Sequence, residues 1–226
     1  MRTLLLQAVL ISGIITPIRA QIPGYLGQRN TLAVSVYTFP NAREFLRGTS
    51  GLGFNGRAEL GWEHVFSRRM SLRSFLGGFQ TQLGYERAAE TGKARIEAQV
   101  LGVEMRFFNL IRRGNLAPIG PYQSVSFSYL RYTARDLDGR FRPGDTALGR
   151  YGDWVLALNV GTQRIIRERL FFHIGMQGAW VMNLFRPDLP DWQTEIRGLS
   201  IGRLRGHLAL NFMGGIGVFL PQRQKP

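Results

Sequence analysis

The feature that most constrains this chain is a repeated alternation of apolar and small or polar residues. Eight stretches carry it: 31–39, 58–67, 72–85, 96–108, 122–132, 154–163, 170–182 and 204–220. Successive side chains on a β-strand point to opposite faces, so a period of two predicts strands with one apolar face each. Most stretches exceed the five or six residues usual in globular strands. They match the roughly 9–11 residues that a tilted membrane-crossing strand needs. The connections tend to alternate as well. Links 68–71 and 164–169, after the second and sixth stretches, are short; links 40–57, 86–95, 133–153 and 183–203 are longer and more polar. The link after the fourth stretch, 109–121, breaks the rule by being long. An even number of strands joined by alternating short and long links predicts an all-β fold, an eight-stranded antiparallel transmembrane up-and-down β-barrel. Short turns and both termini would then lie in the periplasm.

The faces decide which side looks inward. Trp154, Leu156, Leu158 and Val160 oppose Val155, Ala157, Asn159, Gly161 and Gln163. Phe172, Ile174, Met176 and Trp180 oppose His173, Gly175, Gln177 and Ala179, and Val125, Phe127 and Tyr129 oppose three serines. In the last stretch Leu208, Leu210, Phe212, Ile216 and Val218 oppose Arg205, His207, Asn211, Gly215 and Gly217. A secreted soluble barrel would turn its apolar face inward and carry many charges outside. Here the less apolar face is mostly Gly, Ser, Asn, Gln and Ala, which suits the crowded lumen of an eight-stranded barrel. Trp154, Phe172 and Leu210 are therefore expected to face lipid. The fourth stretch changes phase: Ile96, Ala98 and Val100 alternate together, then Leu101, Val103, Met105 and Phe107. A bulge near Val100 would account for that slip.

The first twenty residues add a location. Arg2 precedes an apolar run broken by Pro17, and Ala20 offers a small residue for cleavage. Residues 1–20 read as a secretory signal peptide and 21–226 as the barrel. No later segment approaches a membrane-spanning helix. The chain has no cysteine, which excludes disulfides and thiolate metal sites; no metal or cofactor is expected. Lys+Arg total 29 against 15 Asp+Glu. Such an excess suits nucleic acid, anionic lipid or an acidic partner. A secreted chain points away from nucleic acid, leaving outer-membrane lipid and a periplasmic or outer-membrane protein.

Sorted by this topology, the charges form two groups. Arg29, Arg68, Arg69, Arg73, Arg112, Arg113, Arg164, Arg167, Arg169, Arg223 and Lys225 fall at the periplasmic ends against Glu168 alone. Within that rim, Arg68, Arg69, Arg112, Arg113, Arg164 and Arg167 occupy the turns, as headgroup anchors or as a docking surface. Inside the barrel, Glu63, Glu104, Arg106, Arg205, His173 and His207 are expected to form a polar network, with Glu59 and Glu97 also inward. Buried charges must pair. The network would either rigidify a closed barrel or line a narrow path, for which eight strands leave little room.

Two short motifs carry a resemblance. Gly24, Tyr25, Gly27 and Arg29 stand in a Gly-Tyr-x-Gly-x-Arg pattern just after the Ala-Gln boundary. Arg113, Gly114, Leu116, Ala117, Pro118, Ile119, Gly120 and Tyr122 form a basic-Gly-x-Leu-Ala-Pro-Ile-Gly-x-Tyr turn. Both are similar to segments of small outer-membrane β-barrel proteins of Bacteroidetes. The resemblance implies an outer-membrane barrel. Most members of that family have no assigned activity, so it carries over no functional residue. The expected function is that of a non-enzymatic barrel, structural or a subunit of a larger envelope complex. A small pore or ligand-binding barrel is the alternative, and a lipid-modifying enzyme a further one. An enzyme would need a Ser or His with a carboxylate at the outer rim, and the three histidines form no such grouping.

Overall fold

In the computed structural model, residues 28–40, 54–87, 90–108, 117–137, 147–182 and 189–221 are described. Eight antiparallel strands close into one barrel in sequence order: β1 (Asn30–Pro40), β2 (Phe54–Val65), β3 (Met70–Arg87), β4 (Glu90–Phe108), β5 (Gly120–Asp136), β6 (Ala147–Arg167), β7 (Leu170–Met182) and β8 (Asn211–Leu220). Asn30 pairs with both His64 and Leu220, so the start of β1 and the end of β8 share one end of the barrel. That end is called the terminus end below.

The alternation reads out as expected on β5, β6 and β7. Val125, Phe127 and Tyr129 are exposed while Ser124, Ser126 and Ser128 are buried; Leu158 and Val160 are exposed while Ala157 and Asn159 are buried. Leu210, Phe212, Ile216 and Val218 are also on the outer wall. From Leu170 to Trp180, both exposed, the apolar wall of β7 runs about 33 Å along the strand. At a tilt near 40° that gives about 25 Å of height, the thickness of an outer-membrane apolar band.

Three expectations are corrected. First, β4 has no bulge at Val100: its pairings with β3 and β5 run without a slip. From Ala94 to Phe108 its even-numbered residues point inward. What changes is the content of the lumen, which is apolar beside Ile96, Ala98 and Val100 and charged beside Glu104 and Arg106. Second, the stretch 204–220 is not one strand. A helix, α1 (Asp191–Leu208), occupies most of the connection before β8. Its Ile196, Ile201, Leu204 and Leu208 recur at helical spacing and share one buried cluster with Ile96, Ala98, Val100, Leu130 and Val155 of the inner wall, the helix lying against β7, β6 and β3. Asp191 sits in the first turn, where it favours the positive end of the helix dipole. Leu208 therefore faces the helix–barrel core rather than lipid. Third, the expected long links after the third and fifth strands are partly strand. β3 through β6 are 18, 19, 17 and 21 residues long, whereas β1, β2, β7 and β8 have 10 to 13. One half of the barrel thus stands well above the other at the end where α1 sits.

The terminus end is closed by apolar packing. Phe171, Phe219 and Ala33 cluster there with Ile119 and Ile165, beside a second cluster that includes Val65, Phe108, Ala117 and Tyr122. The segment entering β5 supplies part of this seal: the Ala117 N–H donates to the Arg68 carbonyl at 2.7 Å, and Ala117 is buried.

Candidate functional site

Between the terminus-end seal and the helix lies a charged layer drawn from β2, β3 and β4. Arg57, Glu59 and Glu63 point inward from β2, Arg73 from β3, and Glu104 and Arg106 from β4. The layer holds three guanidinium groups and three carboxylates, and each residue is at most 5% exposed. Arg73 is the hub. It donates to Glu59 at 3.3 Å, to Glu104 at 3.0 Å and to the Ser35 hydroxyl at 3.1 Å. Arg106 donates to Glu104 at 3.1 Å, to Glu63 at 3.3 Å and to the Gln163 amide oxygen at 3.2 Å. Arg57 lies 3.1 Å from Glu59, donates to Gln177 at 2.7 Å and stacks over Tyr37.

The carboxylates gather further donors. Glu104 accepts from Ser124 at 2.6 Å and from Asn159 at 3.2 Å; Glu63 accepts from Ser71 and from Thr31. Desolvating six charges is costly, and the layer persists because each has an opposite charge in reach and all but Glu59 also have a neutral hydrogen-bonding partner. Room for the long arginines comes from inward glycines. A Cβ on Gly61 would strike the Arg73 guanidinium, one on Gly215 the His173 ring, and one on Gly102 the Ser128 and Phe75 side chains. Glycine on one strand beside a long side chain on the next fills the lumen without voids.

A smaller pair anchors the helix. Asp153 on β6 accepts from Arg197 of α1 and from the Tyr132 hydroxyl, each at 2.9 Å. Arg197 and Asp153 are both buried.

Of the residues expected in the lumen, Glu63, Glu104 and Arg106 lie in the charged layer, and His173 is buried beside it. Arg205 does not: it is exposed on α1. His207 also belongs to α1, so the strand register that aimed it inward does not apply. Glu97 points outward and pairs with Arg135 at 3.4 Å. Conversely Arg73, expected at the rim, is inside, because the hairpin register sets it opposite Glu63 and Glu104. Arg57, expected in a loop, is also inside. The sequence reading missed Ser35 as well. Its hydroxyl lies 3.1 Å from His173 Nε2. Since Arg73 donates to the same oxygen, the hydroxyl hydrogen is free to point at the imidazole. This Ser–His contact is walled into the lumen, with both residues at most 1% exposed. It acts as a polar rivet between β1 and β7.

Of the expected rim, Arg68, Arg69, Arg164 and Arg167 are exposed at the terminus end, beside Arg169 and Glu168. Arg112 and Arg113 lie outside the described residues. No group of three or more His, Cys, Asp or Glu residues suited to a metal ion occurs among the described residues.

No protein-family model matches the chain, and no curated protein matches it. Among solved structures, the chain is similar to Ail, the attachment invasion locus protein of Yersinia pestis, in complex with the heparin analogue sucrose octasulfate. The identity is 8% and the TM-score 0.44, over 84% of this chain and 97% of that one. It is also similar to Neisserial surface protein A, with 8% identity and a TM-score of 0.45 over 84% and 95% of the two chains. The N-terminal β-barrel domain of Pseudomonas aeruginosa OprF matches with 10% identity and a TM-score of 0.39 over 84% and 97%.

Proposed function

We propose that the chain is a non-enzymatic β-barrel of the bacterial outer membrane, either a structural protein or a subunit of a larger envelope complex. The observation that carries this reading is an apolar outer wall about one membrane thick enclosing a packed, charge-balanced lumen. A wall with Leu101 and Ile216 each 66% exposed needs an apolar solvent around it, and a closed barrel can cross lipid because every strand has two paired edges. On this reading residues 1–20 are the leader and 21–226 the barrel, of the Bacteroidetes type that the two motifs resemble. Both termini are periplasmic. The arginines at 68, 69, 164 and 167, with 112 and 113 of the neighbouring connection, then meet inner-leaflet phosphates or an acidic periplasmic protein. The planar guanidinium fork suits either.

A small pore or ligand-binding barrel is the second reading. The charged layer between an apolar seal and the α1 packing disfavours it, because an ion entering there would have to displace paired side chains. A lipid-modifying enzyme is disfavoured on the same ground, since the Ser35–His173 contact faces the lumen and not the wall.

The test is purification of the native protein from isolated outer membranes in a gentle detergent, followed by reconstitution into planar bilayers. The expected result is a chain recovered from the outer-membrane fraction, alone or with a stoichiometric partner, and silent in the bilayer. Reproducible unitary conductance steps that vanish on boiling the sample would replace the structural reading with the pore.

A further inference from the structure

The outer wall of β3–β6 changes character abruptly on the tall half of the barrel. Leu76, Leu101, Tyr129 and Trp154 are neighbours across four strands and form the last apolar row. One row further from the terminus end, Gln99 pairs with Arg131; the next row pairs Glu97 with Thr133 and Thr133 with Arg150; the one after pairs Arg95 with Arg135. Lys93 follows on β4. These side chains lie on the outside, because the inward residues of the same strands, among them Ile96, Ala98, Leu130 and Tyr132, belong to the core against α1. Glu97, partly exposed, lies among these cations and is bound to Arg135.

The face is concave. A groove of about 710 Å³ is lined by Gly78, Gln80, Glu97, Arg131, Arg135 and Arg150. Its depth in a bilayer follows from strand geometry. The Arg131 and Arg150 rows stand about 7 and 13 Å along the strands beyond Tyr129, or about 5 and 10 Å in height at a 40° tilt. A headgroup layer is about 5–8 Å thick on each side of the hydrocarbon. The arginines therefore begin where phosphates begin, directly above apolar side chains that acyl chains can cover.

We propose that this groove binds the phosphorylated headgroup of a membrane lipid bearing more than one phosphate. Arg131 and Arg150, which line the groove, meet the phosphate oxygens, with Arg95 one row beyond them, and the acyl chains lie along Leu76, Leu101 and Tyr129. The occupant is a lipid rather than a soluble polyanion because the basic rows are continuous with the apolar wall, so a ligand with both parts satisfies both surfaces. Three guanidinium groups spread over three adjacent strands suit two or more phosphates better than one. The inference rests on the membrane reading above but concerns the end of the barrel away from the terminus-end arginines.

The test compares the full mature chain with its Arg95→Gln/Arg131→Gln/Arg150→Gln variant in phosphatidylcholine nanodiscs. The discs contain a minor fraction of bis-phosphorylated lipid A, or of the same glycolipid stripped of its phosphates. Retention of the glycolipid on the purified barrel is read by native mass spectrometry at low and high salt. Wild type is expected to retain the phosphorylated form selectively, and the triple variant about 100-fold less, at roughly fivefold per arginine near a charged surface. An Arg205→Gln variant, which removes an exposed cation of α1, should retain it as wild type does. Equal retention by wild type and triple variant, or equal retention of the dephosphorylated glycolipid, overturns the proposal while leaving the membrane reading intact. So does a soluble sulfated glycan that binds wild type where lipid A does not. A chain that never enters the discs overturns both.

Discussion

Arg73 on β3 and Glu104 on β4 are direct cross-strand partners, with 3.0 Å between guanidinium nitrogen and carboxylate oxygen at the centre of the barrel. The contact makes the luminal charges one unit. Arg73 also holds Glu59, and Glu104 is shared with Arg106. Removing any one group strands its partners in a place without water. Arg73→Met should therefore lower stability by roughly 3–5 kcal/mol, the usual cost of orphaning a buried charge. Arg106→Leu should behave alike. In urea titrations of detergent-refolded protein, Arg73→Met/Glu104→Gln should lose less than the sum of its two singles. Singles with unchanged midpoints would mean that the pairs contribute nothing.

The inward glycines give a second expectation. Gly61→Ala places a methyl group against the Arg73 guanidinium and should cost about 1–3 kcal/mol through overpacking. Gly214→Ala meets nothing within 4 Å and should be close to neutral. Thermal melts of the two variants side by side read the contrast directly; similar losses at both sites would show that lumen crowding is not what glycine relieves.

For the helix, Arg197→Met removes the ion pair to Asp153 and leaves that carboxylate with only the Tyr132 hydroxyl. Amide hydrogen exchange across 191–208 should accelerate by at least tenfold, while β1, β2 and the terminus-end seal keep their protection. Uniform acceleration over the whole chain would show instead that helix docking and barrel closure are one event.

Gly198, Gly202 and Gly206 lie on the exposed side of the same helix with open space around each. Gly202→Ala should stabilise the docked helix by about 0.5–1 kcal/mol, since glycine is that much poorer than alanine in a helix interior. Slower exchange in 191–208 is the readout. A destabilised variant would mean that this side is covered in the native particle.

Along β6, spin labels at 158 and 160 should report lipid and labels at 157 and 159 should be shielded from both lipid and water. Ile174→Arg, near the middle of the β7 wall, should cost about 2–4 kcal/mol in a bilayer. Water accessibility at every labelled site would remove the membrane from the account altogether.

The barrel itself was legible because period-two alternation on β5, β6 and β7 reflects two different solvents on two faces, and nothing interrupts it. What failed did so for local reasons. Leu204, Leu208, Leu210 and Phe212 keep a period of two across a helix–strand boundary, since a spacing of four fits both patterns. The three helix glycines hid the helix further by lowering its propensity. The phase change at Val100 mimics a bulge in the sequence because α1 makes one level of the lumen apolar while the next is charged. Arg73 reads as a rim residue in the sequence because it follows Arg68 and Arg69 closely. One turn of the hairpin is enough to carry it from water into the barrel. Ser35 and Asn159 could be placed inward by alternation, but their partners on β7, β3, β4 and β5 depend on closure, which no single stretch encodes.

All six charges of the central layer belong to three consecutive strands, β2, β3 and β4, and stand apart from Asp136 on β5 and Asp153 on β6. The order in which a barrel is threaded into a bilayer matters for such groups, because an unmatched ion halfway across blocks the passage of everything after it. Here a sheet of only these three strands already neutralises itself, with Arg73 in the middle and acids on both sides. The remaining five strands can be added one at a time, and the final meeting of β8 with β1 joins two edges whose inner faces carry no formal charge. On the membrane reading, keeping the central charged layer within one contiguous quarter of the sequence makes the closing step of biogenesis a purely apolar and hydrogen-bonded one.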